Sequence, residues 1–261
     1  MIDVSFFQEL IYTFAICITR MTAACFIAPF MSKQVVPAHI RTTIVVSWGF
    51  IVYPMVAPTI DLSQLDQLER IGIVVKEVFL GMLIGLMAAR VFWIAMSVGF
   101  FIDNQRGASM ASVFDPTIGD QTSPVGLFLE QAMIALFYVS GGMLVFLSAL
   151  FESYLVWPVG SFSPQLDDAF PGFFLELFDT LSRTIVVLAA PVIISMLLAT
   201  FGLGLMNRFA PQLNVFFLAM PVKSLIALVV LIVYIPFLFE MMKADFTGLD
   251  ILYDHFNRVV Q

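Results

Sequence analysis

The stretch VFFLAMPVKSLIALVVLIVYIPFLFEMM, residues 215–242, decides the fold class. Its only charged residues are Lys223 and Glu240. An apolar run of about 17–25 residues is long enough to cross a bilayer as a helix. Working back toward the N-terminus, five more apolar runs fall at about 180–206, 125–156, 71–102, 42–56 and 4–30. Over all 261 residues, 61% are hydrophobic and 12% are charged, against about 25% charged in an ordinary soluble domain. The expectation is an all-α membrane protein with about six long apolar helices.

The same composition excludes other classes. The net charge is −7, and the basic residues are scattered singly, so there is no stripe for nucleic acid. The two cysteines, Cys17 and Cys25, share one apolar helix with no CxxC or metal-ligand spacing and read as buried thiols. His39 and His255 are far apart. No catalytic residue set, metal site or cofactor site is expected. Residues 1–9 lack the basic region of a signal peptide, so the first helix is expected to remain in the mature protein.

Runs 71–102 and 125–156 exceed one span, which implies tilt, bending or extension beyond the lipid. Gly81 and Gly85 form a small-xxx-small pair suited to close helix packing. Pro54, Pro191, Pro221 and Pro236 lie within or near the ends of apolar runs, where each removes a backbone hydrogen bond and invites a kink.

Loop charges alternate. Residues 31–41 hold Lys33, His39 and Arg41 with no acid, and 207–212 hold Arg208 alone. Residues 58–70 hold Asp61, Asp66 and Glu69 against Arg70, and 158–179 hold Asp167, Asp168, Glu176 and Asp179 with no base. The positive-inside rule then puts the first, third and fifth loops in the cytoplasm and both chain ends outside.

Charges within apolar runs must face protein or water. Arg20, Arg90, Glu130 and Lys223 are read as deep, with pairing of Arg90 and Glu130 as one reading and a conduit lining or an ion relay as the others. Lys76 and Glu77 are read as interfacial, where snorkelling is cheap. The third loop, GFFIDNQRGASMASVFDPTIGDQTSP at 99–124, mixes small and polar residues with Met110, Val113, Phe114 and Ile118. A polar linker needs no such apolar residues; a packed connector or a plug does.

Three segments carry a family resemblance: VKEVFLGMLIGL at 75–86, the third loop at 99–124, and NRFAPQLNVFFLAMPVKS at 207–224. With them, nearly the whole chain resembles the T component of the type III secretion export apparatus (SctT), related to the flagellar protein FliR. The IDNQRG, FDP and MPVKS patterns are more similar to the injectisome branch than to the flagellar one.

The resemblance implies a subunit of the inner-membrane export gate, helping to form and seal the entry passage for unfolded effector and needle proteins. It implies an R-like part at 1–178, an S-like helical hairpin at 179–242 and a polar tail at 243–261. The implied partners are the R and S components, in a helical hetero-oligomer that reaches toward the periplasmic side, together with the switch protein SctU, the export gate protein SctV, unfolded substrates and lipid. The third loop (about 103–124) would supply a plug through Arg106, Gly107, Met110, Phe114, Asp115 and Pro116. Asn207, Arg208, Pro211, Gln212, Pro221 and Lys223 would lie on the cytoplasmic side of the hairpin, near those partners. The alternatives are a flagellar export gate subunit and an ion-coupled small-solute transporter; the latter calls for an inverted repeat with broken helices, and no repeat is visible.

Overall fold

The computed structural model describes residues 4–60, 66–107, 123–161, 170–209, 212, 214–247 and 253. Its α-helices are α1 (Val4–Ile27), α2 (Ala38–Val56), α3 (Gln67–Arg106), α4 (Pro124–Val139), α5 (Gly142–Val156), α6 (Phe170–Phe209) and α7 (Val215–Thr247). Short 3-10 turns at Pro29–Met31 and Ala57–Thr59 follow α1 and α2. Five helices are long and apolar enough to span a membrane, or six when α4 and α5 are taken as one broken span. The described residues contain no strand. The protein is therefore an all-α membrane protein.

The helix ends follow local chemistry. Pro29 biases Ala28 to an extended conformation (φ −68°, ψ 117°), which stops α1 at Ile27 instead of running on to residue 30. At the start of α3 the Asp66 amide donates to Glu69 Oε2 at 3.0 Å, the return half of a capping box, and the Gln67 amide donates to Asp66 Oδ1 at 2.7 Å. At 40 residues, α3 is longer than the run 71–102 suggested. The helix expected at 125–156 is two helices. Ser140 and Gly141 interrupt it, and Gly141 adopts φ 82°, a left-handed conformation that ends helices and suits glycine. The acidic stretch at 158–179 is not wholly loop, because α6 begins at Phe170 and carries Glu176 and Asp179.

Pro54, Pro191, Pro221 and Pro236 all lie inside continuous helices. Pro191 leaves the Val187 carbonyl without its amide donor, while its own carbonyl accepts from Ser195 Oγ at 2.8 Å.

By contact density the chain forms two compact units. The first comprises Met1–Arg90, Gly141–Phe174 and Thr247–Gln261, and the second comprises Val91–Ser140 and Leu175–Phe246. In the first, α1 packs on α3 where a Cβ on Gly81 would collide with the Arg20 carbonyl and a Cβ on Gly85 with the Ala24 backbone. Phe30 and Phe146 meet edge to face there, with centroids 5.1 Å apart. In the second, Phe92 of α3 and Phe137 of α4 do the same at 5.3 Å. A Cβ on Gly99 would strike the Val125–Gly126 backbone, so α3 and α4 also touch backbone to backbone.

Candidate functional site

The first unit concentrates its charge at one point. Arg20 and Glu77 are fully buried and Lys76 nearly so. Arg20 Nε donates to Glu77 Oε2 at 2.7 Å and Nη2 to Oε1 at 2.9 Å, a two-pronged pairing. Arg20 Nη1 donates to the Ser153 carbonyl at 2.7 Å and Nη2 to the Trp157 carbonyl at 2.9 Å. Its guanidinium carbon lies 4.1 Å from the Tyr154 ring centroid. The Tyr154 hydroxyl in turn donates to the Cys17 carbonyl at 2.7 Å.

Lys76 and Glu77, read from sequence as interfacial and able to snorkel, are enclosed by protein. Lys76 Nζ donates to the carbonyls of Pro158, Val159 and Ser161 at 2.8–3.0 Å and lies 3.1 Å from Glu77 Oε1. The physical reason is the end of α5. The carbonyls of Trp157, Val159 and Ser161 accept no backbone amide among the described residues, and the cations satisfy them together with those of Ser153 and Pro158, which also accept from the Trp157 and Ser161 amides. Glu77 balances the two cations. The arrangement ties α1, α3 and α5 together and exposes no reactive group.

The second unit holds the neck of the third loop. Asp103 is almost fully buried. Its Oδ2 accepts from Ser123 Oγ at 2.7 Å and from the Val125 amide at 3.0 Å. Its Oδ1 pairs with Arg106 Nε at 2.7 Å. Ser123 Oγ also accepts from the Gly126 amide at 3.0 Å, which caps α4. One carboxylate therefore holds both ends of the segment 108–122. Gly107 adopts φ 93°, and a Cβ there would rest 3.6 Å from Met220. Lys223 Nζ reaches the Gln105 carbonyl at 3.4 Å, a weak contact with the last turn of α3. The first turns of α7 therefore pack on the neck.

Of the residues expected at a plug, Arg106 and Gly107 lie at this neck, while Met110, Phe114, Asp115 and Pro116 lie outside the described residues. On the hairpin, Asn207 and Arg208 are exposed at the end of α6, Gln212 and Pro221 are exposed, and Lys223 is half-buried. Pro211 lies outside the described residues. Arg90 and Glu130 are each half-buried and fall in different units. Arg90 Nε finds no hydrogen-bond partner among the described residues.

Sequence reasoning passed over Asp103, Ser123, Ser153 and Tyr154. Ser123 followed by Pro124 was a readable signal, being a capping residue before a proline at the first helical position. The others are defined by contacts 20 to 137 residues distant in sequence, which no local pattern encodes. No group of three or more His, Cys, Asp or Glu among the described residues could hold a metal ion.

Comparison with known proteins gives a consistent result. The profile described as "Bacterial export proteins, family 1" matches residues 11–249. Yop proteins translocation protein T of Yersinia pestis is 45% identical over 230 residues, 87% of each chain. The secretion system apparatus protein SsaT of Salmonella typhimurium is 33% identical over 88% of this chain and 89% of its own. The flagellar biosynthetic protein FliR of Bacillus subtilis is 28% identical over 92% of each.

Proposed function

Since the chain belongs to the bacterial export proteins, family 1, we propose that its task is to build and seal the entry passage of a type III secretion apparatus. It is a non-enzymatic, inner-membrane subunit of the export gate, on the injectisome side of the family. The observation that carries this is the 45% identity to a Yop translocation protein, sustained over 87% of both chains. The flagellar reading is disfavoured by the lower 28% identity to a flagellar relative.

The finer assignments belong to this proposal. The chain joins R and S components in one hetero-oligomer, contacts SctU and SctV, and reaches toward the periplasmic side. Residues 1–178 act as the R-like part and 179–242 as the S-like hairpin, with a tail at 243–261. This division by resemblance differs from the division by contacts, which groups Met1–Arg90 with Gly141–Phe174 and Thr247–Gln261. The segment from Arg106 to Pro116 contributes a plug. The buried Asp103 clamp supports that assignment, since a plug on a loose tether could not seal. Arg90 pairs with Glu130 in the assembled gate.

The test is export by a strain lacking this chain and complemented with its variants, with ion leak across the inner membrane read in parallel. Complementation by the full chain, together with leak or stalling when 108–116 is deleted in an assembled complex, is expected. Secretion that persists without the chain would contradict the proposal. Failure of the complex to assemble without 108–116 would make that segment scaffold, not plug.

A further inference from the structure

Two arginines of the first unit are treated in opposite ways. Arg20 has its guanidinium filled by Glu77, Ser153 and Trp157. Arg41, in the first turn of α2, gives one hydrogen bond, from Nη1 to the Met31 carbonyl at 3.1 Å. A guanidinium has five N–H donors, so most of those on Arg41 face outward without a protein partner among the described residues.

Beside Arg41 lies a cleft between α1 and α2, a cavity of about 110 Å³ whose walls include Ile18, Thr22, Phe26, Val45 and Val46. The cleft has a polar end and an apolar end. Arg41 stands where α1 finishes and α2 begins. Thr22 and Ile18 of α1 and Val45 and Val46 of α2 line the cleft walls. Ile18 and Phe14 close the inner end against Gly49. The Thr22 hydroxyl is already bonded to the Ile18 carbonyl and the Thr42 hydroxyl to the Ala38 carbonyl. Below Arg41 the cleft therefore offers mainly apolar contact.

The surrounding charge has one sign. No Asp or Glu occurs between Glu9 and Asp61, while Lys33, His39 and Arg41 all do. Lys33 and His39 are exposed. Phe26 and Phe50, 77% and 68% exposed, extend the apolar surface past the cleft. An unshared guanidinium above an apolar slot suits an amphipathic anion. A free phosphate would leave the slot unused, a lipid with no phosphate would leave the guanidinium unpaired, and a zwitterionic lipid would bring its own cation among Lys33, His39 and Arg41.

We propose that this cleft binds an anionic phospholipid, with the headgroup phosphate on Arg41 and the start of an acyl chain against Val45, Val46 and Ile18. The site is independent of the export role and of the plug assignment. Because basic loops face the cytoplasm, the lipid would belong to the cytoplasmic leaflet, whose anionic headgroups attract basic side chains.

The experiment exposes the tagged full-length chain, in a mild detergent, to equal amounts of phosphatidylglycerol and phosphatidylcholine. Lipid retained after washing is then quantified by mass spectrometry. Retention of phosphatidylglycerol at about tenfold excess is expected, because the choline cation of phosphatidylcholine offsets its phosphate beside the basic side chains. Arg41→Gln should abolish the excess and Arg41→Lys should keep part of it. Val46→Trp, which fills the slot without touching the charge, should also lower retention. Lys33→Gln should change little. Equal retention of the two lipids by the unaltered chain would overturn the proposal. So would an undiminished excess in Val46→Trp, which would put anion binding outside the cleft, or full displacement by millimolar inorganic phosphate, which would make the ligand a free anion. Should Arg41→Gln fail to yield folded protein, Val46→Trp and the phosphate competition still decide.

Discussion

The Arg20 cluster in the first unit and the α6–α7 arm in the second handle membrane burial by opposite means. Around Arg20, two cations and one carboxylate are removed from solvent, and carbonyls from the end of α5 and the turn after it complete their bonding. Along α6 and α7, charges are few and the helices bury little of themselves. Only 28% of the best spanning window in α6 and 22% of that in α7 is buried, against 61% in α3. Ile194, Leu198 and Phe201 on α6, with Leu228, Ile232 and Val233 on α7, remain exposed. The first region is complete within the chain, because a buried charge tolerates no missing partner. The second is complete only with something apolar beside it, whether lipid or another subunit. The cluster therefore reads as scaffold, and under the proposed function the arm is the assembly surface.

Predictions that break this comparison begin with the largest effect. Glu77→Gln strands Arg20 and Lys76 among carbonyls and should cost about 3–5 kcal/mol, read as loss of folded protein by thermal scanning in detergent. The triple variant Arg20→Met, Lys76→Met and Glu77→Leu should recover most of that loss, since replacing all three charges leaves none buried without a partner. No recovery would show that the cations have a role beyond pairing. Next, Gly85→Val drives a side chain into the Ala24 backbone and should cost about 1–3 kcal/mol, measured in the same way.

At the loop neck, Asp103→Ala leaves the Val125 amide unpaired and should cost about 1–3 kcal/mol. It should also raise ion leak through the assembled gate, whereas Gly85→Val, adjusted for protein level, should not. The smallest effect on the lone chain is expected on the arm. Phe201→Ser should change the stability of the isolated chain by only about 0.5 kcal/mol, yet reduce recovery of partner subunits in a pull-down. A variant that is severely unstable alone but assembles normally would reverse the roles given to the two regions. Lys223→Glu sharpens the picture: its contact with Gln105 is long at 3.4 Å, so stability should barely change while assembly or export falls.

The fold class was legible because membrane-length apolar runs need little context. The boundaries at Pro29 and Asp66 were written in the chain too, but the apolar runs were read as 4–30 and 71–102, past the proline and short of the capping residue. The break at Ser140-Gly141 was also written in the chain, but the long apolar run on either side of it hid a signal of two residues. The role of Glu77 was not legible. Its neighbour Lys76 suggested an interface, while its true partner, Arg20, lies 57 positions away on α1. The same limit hid Asp103, whose neighbours in sequence say nothing of Ser123. Local pattern reports which face is apolar; it does not report which distant carbonyl awaits a donor. The partner-contact role of segment 207–224 came through family resemblance alone, since contacts with another chain leave no pattern in this one.

The most direct test of the central claim is affinity purification of a tagged copy from gently solubilised membranes that also hold the R and S components, followed by native mass spectrometry. The account predicts a hetero-oligomer containing one copy of this chain with several R and S subunits. A discrete monomer or homodimer, recovered while those partners are present, would contradict it.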